Sequence, residues 1–316
     1  MSNHSEHKKQ HFIVPEVVES RAKAAGDIGL AWLENIDALV AEMEEKWEIH
    51  VTEVLTGGSH ALVGLAEGIT GEKYVLKLDV PDNPQEEYMR EITALKIADG
   101  NGYGKLYRYD AQRRACLIER LGAPLKTLNY PIDKQIKIIC NALNETWKMS
   151  IGNEQLMDGS GGIDWFREYI PDAWERMGMP CSRRVIDQAL AYLDDRKDHL
   201  DPDHYVVVHG DAHNNNTLIT LDGMDFKLID PDGIYYEKAY DLGVLMREWP
   251  EEYRENALKM GKKRCRLLAD LTGADETAVW QWGFLQTVST SLILLEIGQK
   301  QLAEEMLRTA ELWCEQ

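Results

Sequence analysis

Asp211, Asn216 and Asp230 are the residues whose types and spacing point most directly to chemistry. They lie in Tyr205 to Gly233, which reads YVVVHGDAHNNNTLITLDGMDFKLIDPDG. Tyr205 to Val208 is a short, largely β-branched run and predicts a buried strand. His209-Gly210-Asp211 breaks it, and a polar loop continues to Asn216. Thr217 to Leu221 predicts a second strand, Asp222-Gly223 a hairpin turn, and Phe226 to Ile229 the returning strand that delivers Asp230. The two open ends of an antiparallel pair are neighbours, so Asn216 and Asp230 should meet, with Asp211 on the loop beside them. An amide oxygen and a carboxylate suit Mg²⁺, which typically takes one or two protein groups and completes its shell with phosphate oxygens and water. A further carboxylate nearby can accept a proton from an attacking hydroxyl. These are the parts of a phosphoryl-transfer site.

Each residue alone has a plainer explanation. A lone Asp after a strand usually forms a turn, and a lone Asn usually caps one. His209 and His213 are four apart, a zinc-like spacing that requires a helix. Gly210 and the run Asn214-Asn215-Asn216 argue against a helix there. The combination is far less ordinary: Asp, then Asn five residues later, then Asp at the end of an Asp-Gly hairpin.

His209-x-Asp211-x-x-x-x-Asn216 followed by Ile229-Asp230 resembles the catalytic signature of the aminoglycoside phosphotransferases, which share the protein-kinase-like fold. Ala239-Tyr240-Asp241-Leu242 is similar to their third motif. Arg264-Cys265-Arg266-Leu267-Leu268 and Trp280-x-Trp282-Gly283-Phe284 look most like the branch of streptomycin phosphotransferases and hydroxyurea-resistance kinases. The likeness runs from near Gly57 onward. It implies an α+β, two-lobe fold, with an antiparallel-sheet N-lobe and a mainly helical C-lobe. It also implies ATP and Mg²⁺, with Asp211 catalytic and Asn216 and Asp230 on the metal. Asp241 would brace the catalytic loop, and Asp232 would assist the metal or face the substrate.

The elements that must position these groups begin upstream. Val14 to Lys46 predicts one or two helices. From Ile49 to Glu119 the pattern is mostly strands: Ile49 to Leu55, Ala61 to Ala66, Lys73 to Leu78, Tyr107 to Tyr109 and Cys116 to Ile118. Gly57-Gly58-Ser59 joins the first two and is a candidate nucleotide loop, because a glycine turn can lay backbone N–H groups over phosphates. It is not the fuller G-x-G-x-x-G pattern, and no Walker A sequence occurs. Lys77 sits in an apolar strand and needs a partner or a ligand, unless the strand is an edge and it points outward. A helix from Pro84 to about Ala98 places Glu91 on the face of Tyr88, Ile92 and Leu95, so Glu91 is the natural partner of Lys77 and Glu87 the second choice. The resemblance implies that Lys77 contacts the ATP phosphates. It also implies that Glu119 and Leu121, in a hinge, offer backbone groups to adenine.

Past Pro124 the chain turns helical. Helices are expected at Asp164 to Met177, Arg183 to Asp198, Glu251 to Leu271 and Ala278 to Trp313, with a glycine-rich loop at Asp158 to Gly162. The expected organisation is an N-terminal helical extension (1–48), a nucleotide-binding lobe (49–122) and a helical lobe carrying the catalytic loop and substrate site (123–316).

The 316 residues carry 35 basic and 54 acidic side chains, a net charge of −19. That surface disfavours nucleic acid and anionic membranes and favours a cationic small molecule. Asp164, Glu168, Asp172 and Glu248 lie where family members line the substrate cleft. The opening MSNHSEHKKQ lacks the apolar core of a signal peptide, and the apolar run near Leu292 to Leu295 is cut by Glu296. Five scattered cysteines read as reduced thiols. Together these predict a cytoplasmic protein. Streptomycin is the leading substrate expectation, with hydroxyurea, another antibiotic or a metabolite as the alternative.

Overall fold

The computed structural model describes residues 12–152 and 156–314. The opening MSNHSEHKKQ lies outside them. The chain forms two compact units, one of Met1–Ile92 with Gly104–Arg120, the other of Thr93–Tyr103 with Leu121–Gln316.

The first unit opens with three helices, α1 (Glu16–Ala24), α2 (Asp27–Glu34) and α3 (Ile36–Trp47), where one or two were expected. Gly26, at φ +70°, separates the first two in a conformation that favours glycine. Five strands follow, β1 (Ile49–Leu55), β2 (Ala61–Gly68), β3 (Lys73–Asp79), β4 (Leu106–Asp110) and β5 (Ala115–Glu119), with α4 (Gln85–Ala98) between β3 and β4. Their order is β1-β2-β3-β5-β4, every pair antiparallel. Val18, Ala22, Ile36, Val40 and Met43 of the helices bury against Val51, Leu62, Leu76, Leu78 and Leu117 of the sheet. Each large apolar side chain so buried contributes about 1.5–3 kcal/mol, so the helices belong to this core. β3 is a central strand, which removes the edge-strand explanation for Lys77.

The second unit is mostly helical. Its elements are α5 (Ile132–Thr146), β6 (Met157–Asp158), α6 (Gly161–Arg176), α7 (Arg183–His199), β7 (Val206–Val208), β8 (Thr217–Ile219), β9 (Phe226–Leu228), β10 (Ile234–Tyr236), α8 (Ala239–Arg247), α9 (Ala257–Thr272), α10 (Glu276–Glu296) and α11 (Lys300–Trp313). β8 and β9 form the expected hairpin. β10 pairs antiparallel with β7 and parallel with β6, a small sheet that no alternation in the sequence announced. The helix expected from Glu251 starts only at Ala257. Before it lies a single 3-10 turn, Pro250–Tyr253, and the Asn256 side chain then caps α9 by accepting the Lys259 N–H at 3.0 Å.

Buried residues occupy nearly every position of α10 from Ala278 to Leu292, so it is the central helix of this unit. It crosses α8 closely because each of the two helices places a glycine at the crossing. A Cβ on Gly243 would lie 2.9 Å from the Trp282 carbonyl oxygen, and one on Gly283 would lie 2.6 Å from Met246 Cβ. Arg264 closes the far end of α8. Its Nη1 donates to the carbonyls of Leu245, Met246 and Glu248, its Nη2 pairs with Glu252, and its guanidinium lies over the rings of Trp249 and Tyr253. The two segments that marked the streptomycin-like branch are thus packing devices around α8. Gly243→Ala should cost about 1–3 kcal/mol, because a backbone oxygen cannot move aside as a side chain can. Urea unfolding measures this, and native-like stability would show that the helices do not depend on the close crossing.

Candidate active site

The hairpin register pairs Thr217 with Leu228 and Ile219 with Phe226. The Ile229 N–H extends the ladder to the Asn216 carbonyl at 2.9 Å. Asn216 and Asp230 therefore flank its open end, as the sequence required. Asn216 Nδ2 donates to the Asp211 carbonyl at 3.1 Å, which leaves Oδ1 as the amide's acceptor. Asp230 has φ +57°, a left-handed conformation that costs an ordinary residue about 1–2 kcal/mol. Of the three successive asparagines, Asn214 is structural: it is buried and donates to Gln135 of α5 at 2.9 Å.

His209 is a buried structural joint rather than a metal ligand. Its Nε2 lies 2.8 Å from the Ile229 carbonyl, and its Nδ1 accepts the Asp211 N–H at 3.1 Å. That pattern assigns the neutral, Nε2-protonated ring. Burial, which depresses the pKa, favours the same form. The His209 carbonyl accepts the Asp232 N–H at 2.8 Å. One residue thus ties the loop of Asp211 to the end of the hairpin.

Asp241, fully buried at the start of α8, holds that loop from behind. One carboxylate oxygen accepts the His209 N–H at 3.0 Å and the Trp147 indole N–H at 2.9 Å, and the other accepts the Gly210 N–H at 2.7 Å. Burial pushes its pKa up, against the pull of His209 and these donors. Gly210 has φ +89°, and a Cβ there would lie 2.1 Å from Asp232 Oδ2, so only glycine fits. Asp232 keeps solvent access, but the protein around it and the charges of Asp211 and Asp241 push its pKa up to about 7. Asp241→Ala would leave three donors without their acceptor, at about 1–3 kcal/mol each. A loss of at least about 3 kcal/mol in urea unfolding is expected, and a loss below 1 kcal/mol would show that the bonds do not hold the loop.

The Asp211 carboxylate faces Arg247 and His213. Arg247 Nη2 donates to Oδ1 at 2.6 Å, and His213 Nε2 lies 3.3 Å from Oδ2. Burial alone would raise its pKa, but His213 and Arg247 outweigh it and hold the carboxyl well below the usual range. The group is 41% exposed and so remains accessible.

In the first unit, Lys77 Nζ donates to both oxygens of Glu91 at 2.7 Å, with Asp79 at 3.8 Å. Glu87 is exposed. Gly57, Gly58 and Ser59 form the turn between β1 and β2. Gly57 has open space around its α-carbon and no left-handed φ, so the local fold does not itself demand glycine there. Glu119 ends β5, where its N–H reaches the Lys105 carbonyl at 2.8 Å and its carboxylate accepts the Lys105 N–H at 3.0 Å. Leu121 is buried and opens the second unit.

The family model described as aminoglycoside/hydroxyurea antibiotic resistance kinase matches residues 46–298. The chain belongs to that family. Among its relatives, streptomycin 6-kinase of Streptomyces glaucescens is 26% identical over 294 residues, covering 92% of this chain and 93% of that protein. Hydroxyurea phosphotransferase of Kitasatospora aureofaciens is 25% identical over 306 residues, covering 95% of this chain and 85% of that one. In fold, the kinase is similar to aminoglycoside phosphotransferase APH(4)-Ia, solved with AMP-PNP and hygromycin B, at a TM-score of 0.63 and 13% identity over 89% of this chain and 97% of that one. It is also similar to an ethanolamine kinase of Plasmodium vivax, at a TM-score of 0.60 and 14% identity over 95% and 96% of the two chains. The fold is the protein-kinase-like one, with an antiparallel-sheet N-lobe and a helical C-lobe. The protein is a phosphotransferase of the aminoglycoside kinase family.

The structure separates the four acidic residues considered for this kinase's substrate. Asp164 lies 3.6 Å from Lys197, Asp172 pairs with Arg176 at 2.9 Å, and Glu168 is exposed. Glu248, at the end of α8, is close enough to act on His213. Burial would depress that imidazole, but Asp211 and Glu248 together raise its pKa. Sequence reading missed Arg247 and Trp147. Arg247 left one usable signal, its place on the helical face of Tyr240 and Gly243. Trp147 left none, since its partner Asp241 is 94 residues away.

Proposed function

We propose that this kinase transfers the γ-phosphoryl group of ATP to a hydroxyl of a cationic aminoglycoside, streptomycin first, and thereby confers resistance. The observation that carries this reading is the gathering of Asp211, Asn216 and Asp230 around one hairpin in a chain whose relatives include streptomycin 6-kinases. Asp211 orients the acceptor hydroxyl and takes its proton. With so depressed a pKa, its contribution is orientation more than basicity. This is adequate for a loose transition state in which alignment and electrostatics dominate.

The donor set fits Mg²⁺. The Asn216 amide is turned so that its oxygen is available, and Asp230 supplies a carboxylate beside it. Among the described residues no group of three or more His, Cys, Asp and Glu side chains is gathered as a metal cage. Water and phosphate oxygens would complete the shell, as Mg²⁺ prefers. Bound there, the ion would neutralise charge on the phosphates. Lys77 steadies the nucleotide and Glu91 holds Lys77. The Gly57-Gly58-Ser59 backbone covers the phosphates, and Glu119 and Leu121 offer backbone groups to adenine. In this reading residues 49–122 serve the nucleotide and 123–316 the catalytic loop and substrate, in a monomer or oligomer of the cytoplasm. Glu248, whose charge acts on the catalytic loop at His213, is in this reading the acidic residue that attracts the guanidinium group of the acceptor.

A second reading has the same chemistry with a different acceptor, and the hydroxyurea phosphotransferase relative favours it. Streptomycin-dependent ATP consumption and growth of a sensitive bacterium expressing the chain decide between them. Consumption and protection are expected. Their joint absence would reject streptomycin and leave the kinase chemistry standing. Asp211→Asn should remove most transfer while ATP still binds, and Asp230→Ala should weaken binding of Mg²⁺-nucleotide itself. Near-native turnover of Asp211→Asn at saturating acceptor would refute its assignment.

A further inference from the structure

The Asp211 carboxylate is clamped by a guanidinium that is itself anchored. Arg247 Nη2 donates to Oδ1 at 2.6 Å, while Nη1 donates to Thr290 Oγ1 on α10. The Arg247 side chain is 17% exposed and its Nε is buried. A guanidinium is a rigid planar fork, so fixing one arm on Thr290 aims the other. The anchor depends on helix packing, because Arg247 shares a face of α8 with Tyr240 and Gly243. Gly243 lets the backbone of α8 approach α10, and Gln286 Nε2 binds the Tyr240 carbonyl at 2.7 Å on the same side.

Resting on the reading of Asp211 as the residue that orients the acceptor hydroxyl, we infer that Arg247, anchored by Thr290, is a positioning residue that fixes the Asp211 side chain and leaves Oδ2 for the hydroxyl. The two oxygens are held differently. The Arg247 bond has the length of a strong charge-assisted contact, whereas His213 stands 3.3 Å from Oδ2, a contact a hydroxyl can displace. Asp211 sits on a loop, and an unclamped carboxylate there would sample several rotamers. Misplacing a reacting group by about 1 Å costs about a hundredfold in rate. An arginine that only tied α8 to α10 would need Thr290 alone, yet its other arm reaches the site carboxylate at 2.6 Å. Lysine could not span the two acceptors with fixed geometry.

The test uses the full chain with Arg247→Met, Arg247→Lys and Thr290→Val, each alone and combined with Asp211→Asn. Transfer from ATP to streptomycin is measured, with intrinsic ATP hydrolysis as the readout if streptomycin is not accepted. Affinity for AMP-PNP and the Tm are followed in parallel. Arg247→Met should lower kcat about a hundredfold with AMP-PNP affinity unchanged. Arg247→Lys should recover part of that loss, and Thr290→Val should lose less than Arg247→Met. On the Asp211→Asn background, Arg247→Met should add little, because its target is gone. Native kcat in Arg247→Met, a full further loss on that background, or a loss explained by weaker AMP-PNP binding would each overturn the inference. If Arg247→Met does not fold, Arg247→Lys and Thr290→Val complete the same cycle with the same outcomes. Native turnover in Asp211→Asn would instead overturn the reading of Asp211 beneath it. Dependence on Asp211 without dependence on Arg247 overturns the Arg247 inference alone.

Discussion

The loop that carries Asp211 hangs on one buried carboxylate. Asp241 takes the N–H groups of His209 and Gly210 and the indole of Trp147. A fully buried charge is expensive unless such donors surround it. Hydrogen bonds to a charged acceptor are worth about 1.5–3 kcal/mol each, so three of them offset much of that cost. Because the cost is recovered only in one geometry, the loop is held in that geometry. The position of Asp211, one residue beyond Gly210, follows from it.

From that anchor the constraints propagate through backbone and one ring. His209 carries them forward: its imidazole binds Ile229 at the end of the returning strand and the Asp211 N–H in its own loop. Its carbonyl holds the Asp232 N–H. A charged imidazole could not accept at Nδ1, so the burial that keeps it neutral also preserves the connection. Local strain is concentrated in the same place. Asp230 is left-handed without being glycine, and two residues from it Asp232 occupies the space that any Cβ at position 210 would need. Strain of this kind persists where surrounding bonds over-determine the backbone. Those bonds leave the Asn216 amide and the Asp230 carboxylate at one end of one hairpin.

Beneath the site, α8 and α10 supply rigidity. Glycines at the crossing bring backbone against side chain and backbone, and Arg264 satisfies the carbonyls at the end of α8. Asp241 and Arg247 are carried at the two ends of this one short helix, so the element that braces the loop also supplies the guanidinium facing Asp211. In the first unit the equivalent economy is the Lys77–Glu91 pair, a buried cation whose charge is met at 2.7 Å by both carboxylate oxygens.

What the sequence determined by itself was local. The β-branched run, the Asp222-Gly223 turn and the five-residue step from Asp211 to Asn216 fixed the hairpin and what stands at its ends. Strand chemistry and helix periodicity marked Lys77 and Glu91 as partners, because each interaction is written within about thirty residues of chain and obeys periods of 2 and 3.6. Only the tertiary structure decided which of three asparagines is structural, since Asn214 is told from Asn216 by Gln135, 79 residues away. Only it showed that Arg264 and Gly283 are packing devices and that Arg247 faces Asp211. It likewise gave the small sheet of β6, β10 and β7, whose strands of two or three residues are too short for alternation to show. Such contacts join residues tens of positions apart through burial and helix crossing, and neither leaves a period in the sequence from which it could be read.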